Sequence, residues 1–317
     1  MRHVPVLLNE VMEGLNLAGG AKVIDCTVGD GGHSEAMLER IGPKGKLLGI
    51  DADPESLLRA KQYLYNFSEQ ATFVRDNFSN LATIIRDSGF GPADAIVMDL
   101  GWSSPQFEER GRGFSFQKDE PLDMRFTGKS QIQNLKSQIN SNYQIPKYET
   151  ASEWVNNAEE NELATIFKKY AEEKFYNEIA NAIVTARASQ PIETTGQLVE
   201  IILRVYRRML RTDKDIPWMG KIHPATKVFQ ALRIAVNDEL GVLKAVLPQA
   251  LDALKPGGRL AVISFHSLED RVVKQYFQKE ENKTVKIINK KPIEAGEEEL
   301  KINPRARSAK LRVVEKI

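Results

Sequence analysis

The sequence predicts an α/β protein: a seven-stranded, mostly parallel, Rossmann-like sheet covered by helices, with a helical subdomain inserted into it. Short apolar runs of strand type alternate with helix-like stretches in both outer parts of the chain, and the alternation stops in the middle. A glycine-rich turn joins the first strand to a helix, and an acid closes the second strand.

The first strand, residues 22–28, runs into Gly29-Asp30-Gly31-Gly32-His33. Gly29, Gly31 and Gly32 let the backbone bend sharply and let a ligand approach bare main chain. The second strand, 46–51, ends in Asp51, about 20 residues on, where a carboxylate accepts hydrogen bonds from the two hydroxyls of an adenosine ribose. The pair of features describes a nucleoside cofactor site. A dinucleotide site wants a third glycine where Ser34 stands, with bulky His33 beside it, to bring the helix N-terminus onto a pyrophosphate. S-adenosylmethionine has a free ribose and no phosphate and suits the segment better, with a dinucleotide and a ligand-free tight turn as the alternatives.

Residues 54–65 read as a helix, 71–75 as the third strand and 95–100 as the fourth. Beyond residues 144–150 the pattern becomes helical. Leu163, Ile166, Phe167, Tyr170, Ile179, Ile183 and Val184 fall at helical spacing; Thr194 and Gln197 form a capping box ahead of Leu198, Ile201, Ile202, Val205 and Met209. The expected domains are 1–125 and 217–317 for the sheet and 126–216 for a helical substrate-recognition insertion. Residues 226–254 read as one long helical region stopped by Lys255-Pro256-Gly257-Gly258. A strand at 259–265, a helix at 268–277 and strands at 284–288 and 310–317 follow. That turn, with two further strands after the fifth, fits the seven-stranded sheet of S-adenosylmethionine methyltransferases better than a six-stranded dinucleotide fold.

The chain has 317 residues, 42% of them apolar, enough for a large core plus a smaller unit. Its one cysteine, Cys26, excludes a disulfide framework and a thiolate zinc site and suits a reducing cytosol. No run approaches 18 apolar residues, so a soluble, cytoplasmic protein without membrane contact is expected. A net charge of +1 excludes a globally basic nucleic-acid binder. Basic residues gather locally at Arg204, Arg207, Arg208 and Arg211 and at Arg305, Arg307, Lys310 and Arg312, as phosphate contacts or as solvated faces. The four histidines, His3, His33, His223 and His266, stand in separate blocks without ligand spacing, so no metal is expected.

The fourth strand ends in Asp99-Leu100-Gly101, at the edge where an open parallel sheet places its chemistry. Asp99 reads as a loop anchor or as an acceptor orienting a sulfonium cofactor or an attacking amine. Trp102, Phe107, Phe114 and Phe116 supply core or a base-stacking surface. His266 reads equally as a cap at the fifth strand's end and as a substrate contact beside Glu269 and Arg271.

Eight blocks carry a family resemblance: His3-Val4-Pro5-Val6-Leu7-Leu8-Asn9-Glu10, Gly31-Gly32-His33-Ser34, Asp99-Leu100-Gly101 with Ser103-Ser104-Pro105-Gln106, Arg112-Gly113-Phe114-Ser115-Phe116, Pro121-Leu122-Asp123-Met124-Arg125, His223-Pro224-Ala225-Thr226, Ser264-Phe265-His266-Ser267-Leu268-Glu269-Asp270-Arg271 and Asn303-Pro304-Arg305-Ala306-Arg307-Ser308. Together they resemble the ribosomal RNA small subunit methyltransferase H family over nearly the whole chain. The resemblance implies S-adenosylmethionine-dependent methylation of the exocyclic N4 of a cytidine in the decoding region of small-subunit (16S) ribosomal RNA. It implies cofactor contacts from Gly31, Gly32, His33, Asp51, Phe78, Asp99 and Gln106. Asp99, with Ser103 and Ser104, is then the expected catalytic set, acting by orientation. The partner is small-subunit ribosomal RNA, within the small subunit, and a homo-oligomer is compatible. The chain departs from the family in the polar, Asn- and Gln-rich stretch 130–143, which is longer than the family carries. A nicotinamide-dependent dehydrogenase and a non-enzymatic RNA-binding factor on the same fold are the rival classes.

Overall fold

The protein is described from a computed structural model that covers residues 4–101, 111–126, 147–212 and 223–317. Seven strands form one sheet in the order β3-β2-β1-β4-β5-β7-β6. They are β1 (Lys22–Asp25), β2 (Lys46–Asp51), β3 (Ala71–Arg75), β4 (Ala93–Asp99), β5 (Leu254–Ser264), β6 (Val285–Ile287) and β7 (Lys310–Lys316). The first five pair in parallel, and β7 runs antiparallel between β5 and β6. The seven-stranded, mostly parallel sheet expected from the sequence is therefore present.

Alternate residues of each central strand face opposite layers, so both faces need cover. Ile24, Leu48, Ile96, Met98, Leu260 and Val262 pack into one apolar cluster with Leu243, Val246 and Leu247 of a helix at Glu239–Ala253 and with Val273 and Phe277 of one at Ser267–Glu280. Val23, Leu47, Ala95, Val97, Ala261 and Ile263 pack into another with Val11 and Leu15 of α1 (Leu8–Leu15) and with Met37, Leu38 and Ile41 of α2 (Gly32–Ile41). The helices α3 (Pro54–Tyr63) and α4 (Leu81–Ser88) lie between β2 and β3 and between β3 and β4 in the sequence.

Of the described residues, 4–101 and 240–317 form one compact unit, and 111–126, 147–212 and 223–239 a second. The second is helical: α5 (Ala151–Asn157), α6 (Glu160–Ala171), α7 (Tyr176–Arg187), α8 (Thr195–Leu210) and α9 (Pro224–Asn237). The stripe residues Leu163, Phe167, Ile179, Ile183, Leu198, Ile202 and Val205 are buried in its core. Thr194 and Gln197 make the expected capping box at the start of α8. Met209, placed in that stripe by its spacing, is 38% exposed because it lies in the last turn, beyond the core. The unit also takes in 111–126 and 223–239, since Leu122, Met124, Val228, Phe229 and Leu232 share its apolar cluster.

Two further elements differ from the sequence reading. The region 226–254 is two helices, α9 and α10 (Glu239–Ala253), parted at Asp238, which takes a left-handed conformation with φ 45°. The Asn237 side chain just before the break accepts from the Phe126 N–H and donates to the Met124 carbonyl, an interaction a helical pattern cannot announce. Lys255-Pro256-Gly257-Gly258 does not separate helix from strand. β5 begins at Leu254 and the turn is an irregularity in its pairing with β4, so that Ala93 faces Leu254 and Ala95 faces Arg259. α11 (Ser267–Glu280) and α12 (Glu297–Ile302) complete the chain's helices among the described residues. None of the described helices is long and apolar enough to cross a membrane.

Candidate functional site

Because β1 to β5 run in parallel, their carboxyl ends share one edge, and the site is built there from side chains that end strands. Asp51, last in β2, accepts the Gly29 N–H on Oδ2 and the Asp53 N–H on Oδ1, both at 2.8 Å. Gly29 has φ 53° and Gly31 φ 89°, the left-handed conformation that suits a residue without Cβ. Each Asp51 oxygen spends one lone pair on the backbone and keeps another for a donor such as a ribose hydroxyl. Burial pushes the carboxyl up to about 6, the two N–H bonds offsetting only part of that cost.

A second acid, Asp25, ends β1 earlier than the sequence run suggests. Its Oδ1 accepts the Thr27 N–H at 3.0 Å and its Oδ2 the Ser34 hydroxyl at 2.7 Å, so the side chain closes the turn between strand and helix. Burial raises its pKa above the ordinary carboxylate range. The Thr27 hydroxyl in turn accepts the Asp99 N–H at 2.7 Å, and Asp99 Oδ1 accepts the Gly101 N–H at 2.9 Å. The other Asp99 oxygen lies 3.7 Å from His33 Nδ1, while His33 Nε2 stands 3.0 Å from the carbonyl of Val6. The structure thus brings Gly31, His33, Asp51 and Asp99 to one edge. Phe78 opens a short 3-10 turn, Phe78–Asn80, after β3, with its ring partly buried against the sheet's core. Ser103, Ser104 and Gln106, like Trp102, Phe107, His3 and the stretch 130–143, lie outside the described residues.

The model of the MraW methylase family matches residues 1–317. The chain belongs to the MraW methylase family. Among curated relatives, Ribosomal RNA small subunit methyltransferase H of Heliobacterium modesticaldum is 43% identical, covering 99% of this chain and 98% of its own length. The enzyme of the same name from Symbiobacterium thermophilum is 43% identical, covering 99% and 96%. A crystallised rRNA methylase from Streptococcus thermophilus aligns over 100% of this chain and 99% of its own at 12% identity, with a TM-score of 0.43.

As a methylase on a seven-stranded sheet, the protein uses S-adenosylmethionine, and the donor set at the edge fits that cofactor. Asp51 offers two acceptor oxygens to a diol. In this family member the glycines also serve the protein's own packing. A Cβ at Gly32 would overlap the Pro5 ring, and one at Gly31 would stand 3.1 Å from Leu64 Cδ1. The N-terminal block that carried part of the resemblance thus lies against the glycine turn, with Val6 also receiving His33.

Three residues expected as aromatic or polar contacts have structural partners. Phe116 stacks on His223 with centroids 4.7 Å apart and meets Phe229 edge-on at 5.1 Å. Phe114 stacks on Phe126 at 5.9 Å. His266 caps α11: its Nδ1 accepts the Glu269 N–H at 3.3 Å, and Glu269 Oε2 accepts the N–H groups of Phe265 and His266 at 2.8 and 3.3 Å. Sequence reasoning missed Asp25, Thr27 and Ser34 as the frame of the site. Their signal was an acid and a hydroxyl at the end of an otherwise apolar strand.

Proposed function

We propose that the protein transfers a methyl group from S-adenosylmethionine to the exocyclic N4 of a cytidine in the decoding region of small-subunit ribosomal RNA, acting on the small ribosomal subunit. The relatives' names support ribosomal RNA as the substrate. The observation that carries the chemistry is Asp99, an acid at the end of β4 beside the Asp51 site, with one oxygen on the Gly101 N–H and the other toward His33. When bound, the cofactor supplies an electrophilic methyl group on a sulfonium. Cytosine N4 is a weak nucleophile because its lone pair is delocalised into the ring, so the residues must hold the amine in line. Asp99 accepts a hydrogen bond from the amine and fixes its direction, and Ser103, Ser104 and Gln106 complete the orientation. Once the new bond forms, the cationic nitrogen sheds a proton readily to water or to a carboxylate. Positioning is the main demand, and no covalent nucleophile is needed.

In this reading, Asp51 holds the ribose, Gly31, Gly32 and His33 shape the cofactor's bed, and Phe78 lies against the adenine. The helical unit recognises RNA through Arg204, Arg207, Arg208 and Arg211 of α8 and its end, with Arg305 and Arg307 as further phosphate contacts. Arg204 is 73% exposed, and Arg305 and Arg307 lie on the surface of the turn Pro304–Ser308. Mass spectrometry of nucleosides from small-subunit ribosomal RNA, with and without this protein in the cell, tests the reading. Loss of N4-methylated cytidine without the protein is expected; unchanged nucleosides would refute it.

A further inference from the structure

Asp99 is held from the turn after β1 through Thr27, and a second line of contacts reaches it from β5. Register pairs Asp99 with Ile263, and the Leu100 N–H donates to the Ile263 carbonyl at 2.9 Å, so the turn after β4 lies beside the end of β5. A Cβ at Gly101 would overlap Cε2 of the Phe265 ring and stand 2.7 Å from Asp99 Oδ1. Gly101 is thus wedged between an aromatic ring and the carboxylate to which its own N–H donates. Phe265 is held in turn: its N–H donates to Glu269 Oε2 at 2.8 Å, and Glu269 is only 4% exposed. A buried acid at the first turn of α11 therefore fixes the backbone of Phe265, the ring bounds Gly101, and Gly101 fixes one oxygen of Asp99.

Capping alone does not require this arrangement. His266 and Glu269 satisfy the helix start whatever side chain stands at 265. A ring pressed on a glycine does something else: it denies the Asp99-Leu100-Gly101 turn any room to relax away from the carboxylate. We propose that Phe265 and Glu269 are positioning residues that set the Asp99 carboxylate for the reacting amine, a role that rests on the assignment of Asp99 above.

The test measures methyl transfer from S-adenosylmethionine to small ribosomal subunits from cells lacking the modification, together with calorimetric affinity for S-adenosylhomocysteine and the melting temperature. Gly101→Ala forces the turn against both neighbours and should lower kcat about tenfold or more while changing cofactor-product affinity by less than about threefold. Phe265→Leu in the same chain opens space on the ring side but leaves the contact with Asp99 Oδ1, so the double variant should recover part of the lost kcat, about threefold or more above Gly101→Ala, a coupling that separate structural losses would not produce. Glu269→Ala should slow turnover, and Glu269→Gln, which keeps an acceptor for the Phe265 N–H, should retain most of it. A double variant as slow as Gly101→Ala, or a kcat loss that only tracks melting temperature, would overturn the proposal. Full turnover by Asp99→Asn would overturn it together with the assignment of Asp99. A slow Asp99→Asn beside an unaffected Gly101→Ala would overturn the positioning role alone.

Discussion

The N–H of Asp99 donates to the hydroxyl of Thr27 at 2.7 Å, so the acid that ends β4 takes its place from a side chain just past β1. Thr27→Val keeps the shape and removes the acceptor, leaving a partly buried N–H without its bond. A stability loss of about 1–3 kcal/mol in urea unfolding is expected. Methylation should slow further than that loss explains, because the carboxylate shifts with its backbone. Turnover unchanged in the folded variant would separate Asp99's place from its work.

Asp51 gives cofactor binding a pH dependence. In the free protein its carboxyl holds a proton up to about 6, above the ordinary 3.8. An unfolded chain releases that proton earlier, so this group's share of stability falls as pH rises between those two values. Cofactor affinity has the opposite sign, since ribose hydroxyls donate best to the ionised form. Calorimetry with S-adenosylmethionine should show affinity rising by up to about tenfold per pH unit below about 6 and levelling above it. Asp51→Asn should bind more weakly and flatten the profile.

Asp99→Asn separates binding from chemistry. If the carboxylate orients the amine, the substitution should cut the methylation rate by about tenfold or more and weaken cofactor affinity much less. Equal losses in both would leave Asp99 as a cofactor contact only.

The arginines at the end of α8 are assigned to phosphate. Replacing Arg207, Arg208 and Arg211 together by alanine should lower affinity for the ribosomal substrate and reduce the slope of log affinity against log salt by about 2, with S-adenosylmethionine affinity unchanged. Wild-type binding across a salt titration would move the RNA surface elsewhere.

Where periodicity and end signals agree, the sequence was readable to the residue. β2 and β3 have the bounds their apolar runs predict, because both are flanked by polar turns; β2 is buried on both faces, while β3, at the sheet's edge, is only partly covered. Thr194 and Gln197 announce their helix because a capping box is local chemistry. The split at Asp238 was not readable, since Asn237 finds its partners in Met124 and Phe126, more than a hundred residues away. At the site, the pairing of the glycine turn with Asp51 was legible, and the Gly29 N–H on Asp51 Oδ2 joins the two. The overlap that a Cβ at Gly32 would make with Pro5 was not, because nothing local places the N-terminal block on that turn. Gly31 likewise combines φ 89° with a close Leu64, so bulky replacements there test the backbone before they test the cofactor.

Cys26 follows Asp25 in the strand end that frames the site; it is 1% exposed, and burial raises its thiol well above the usual range. The chain carries no other cysteine. A thiol reagent therefore meets a single sulfur that is both hidden and protonated, and it can react only during excursions that open the centre of the sheet. The labelling rate of the unmodified protein is thus a built-in clock for those openings, with no probe to engineer. A ligand that bridges the glycine turn and Asp51 should slow that clock in proportion to its occupancy.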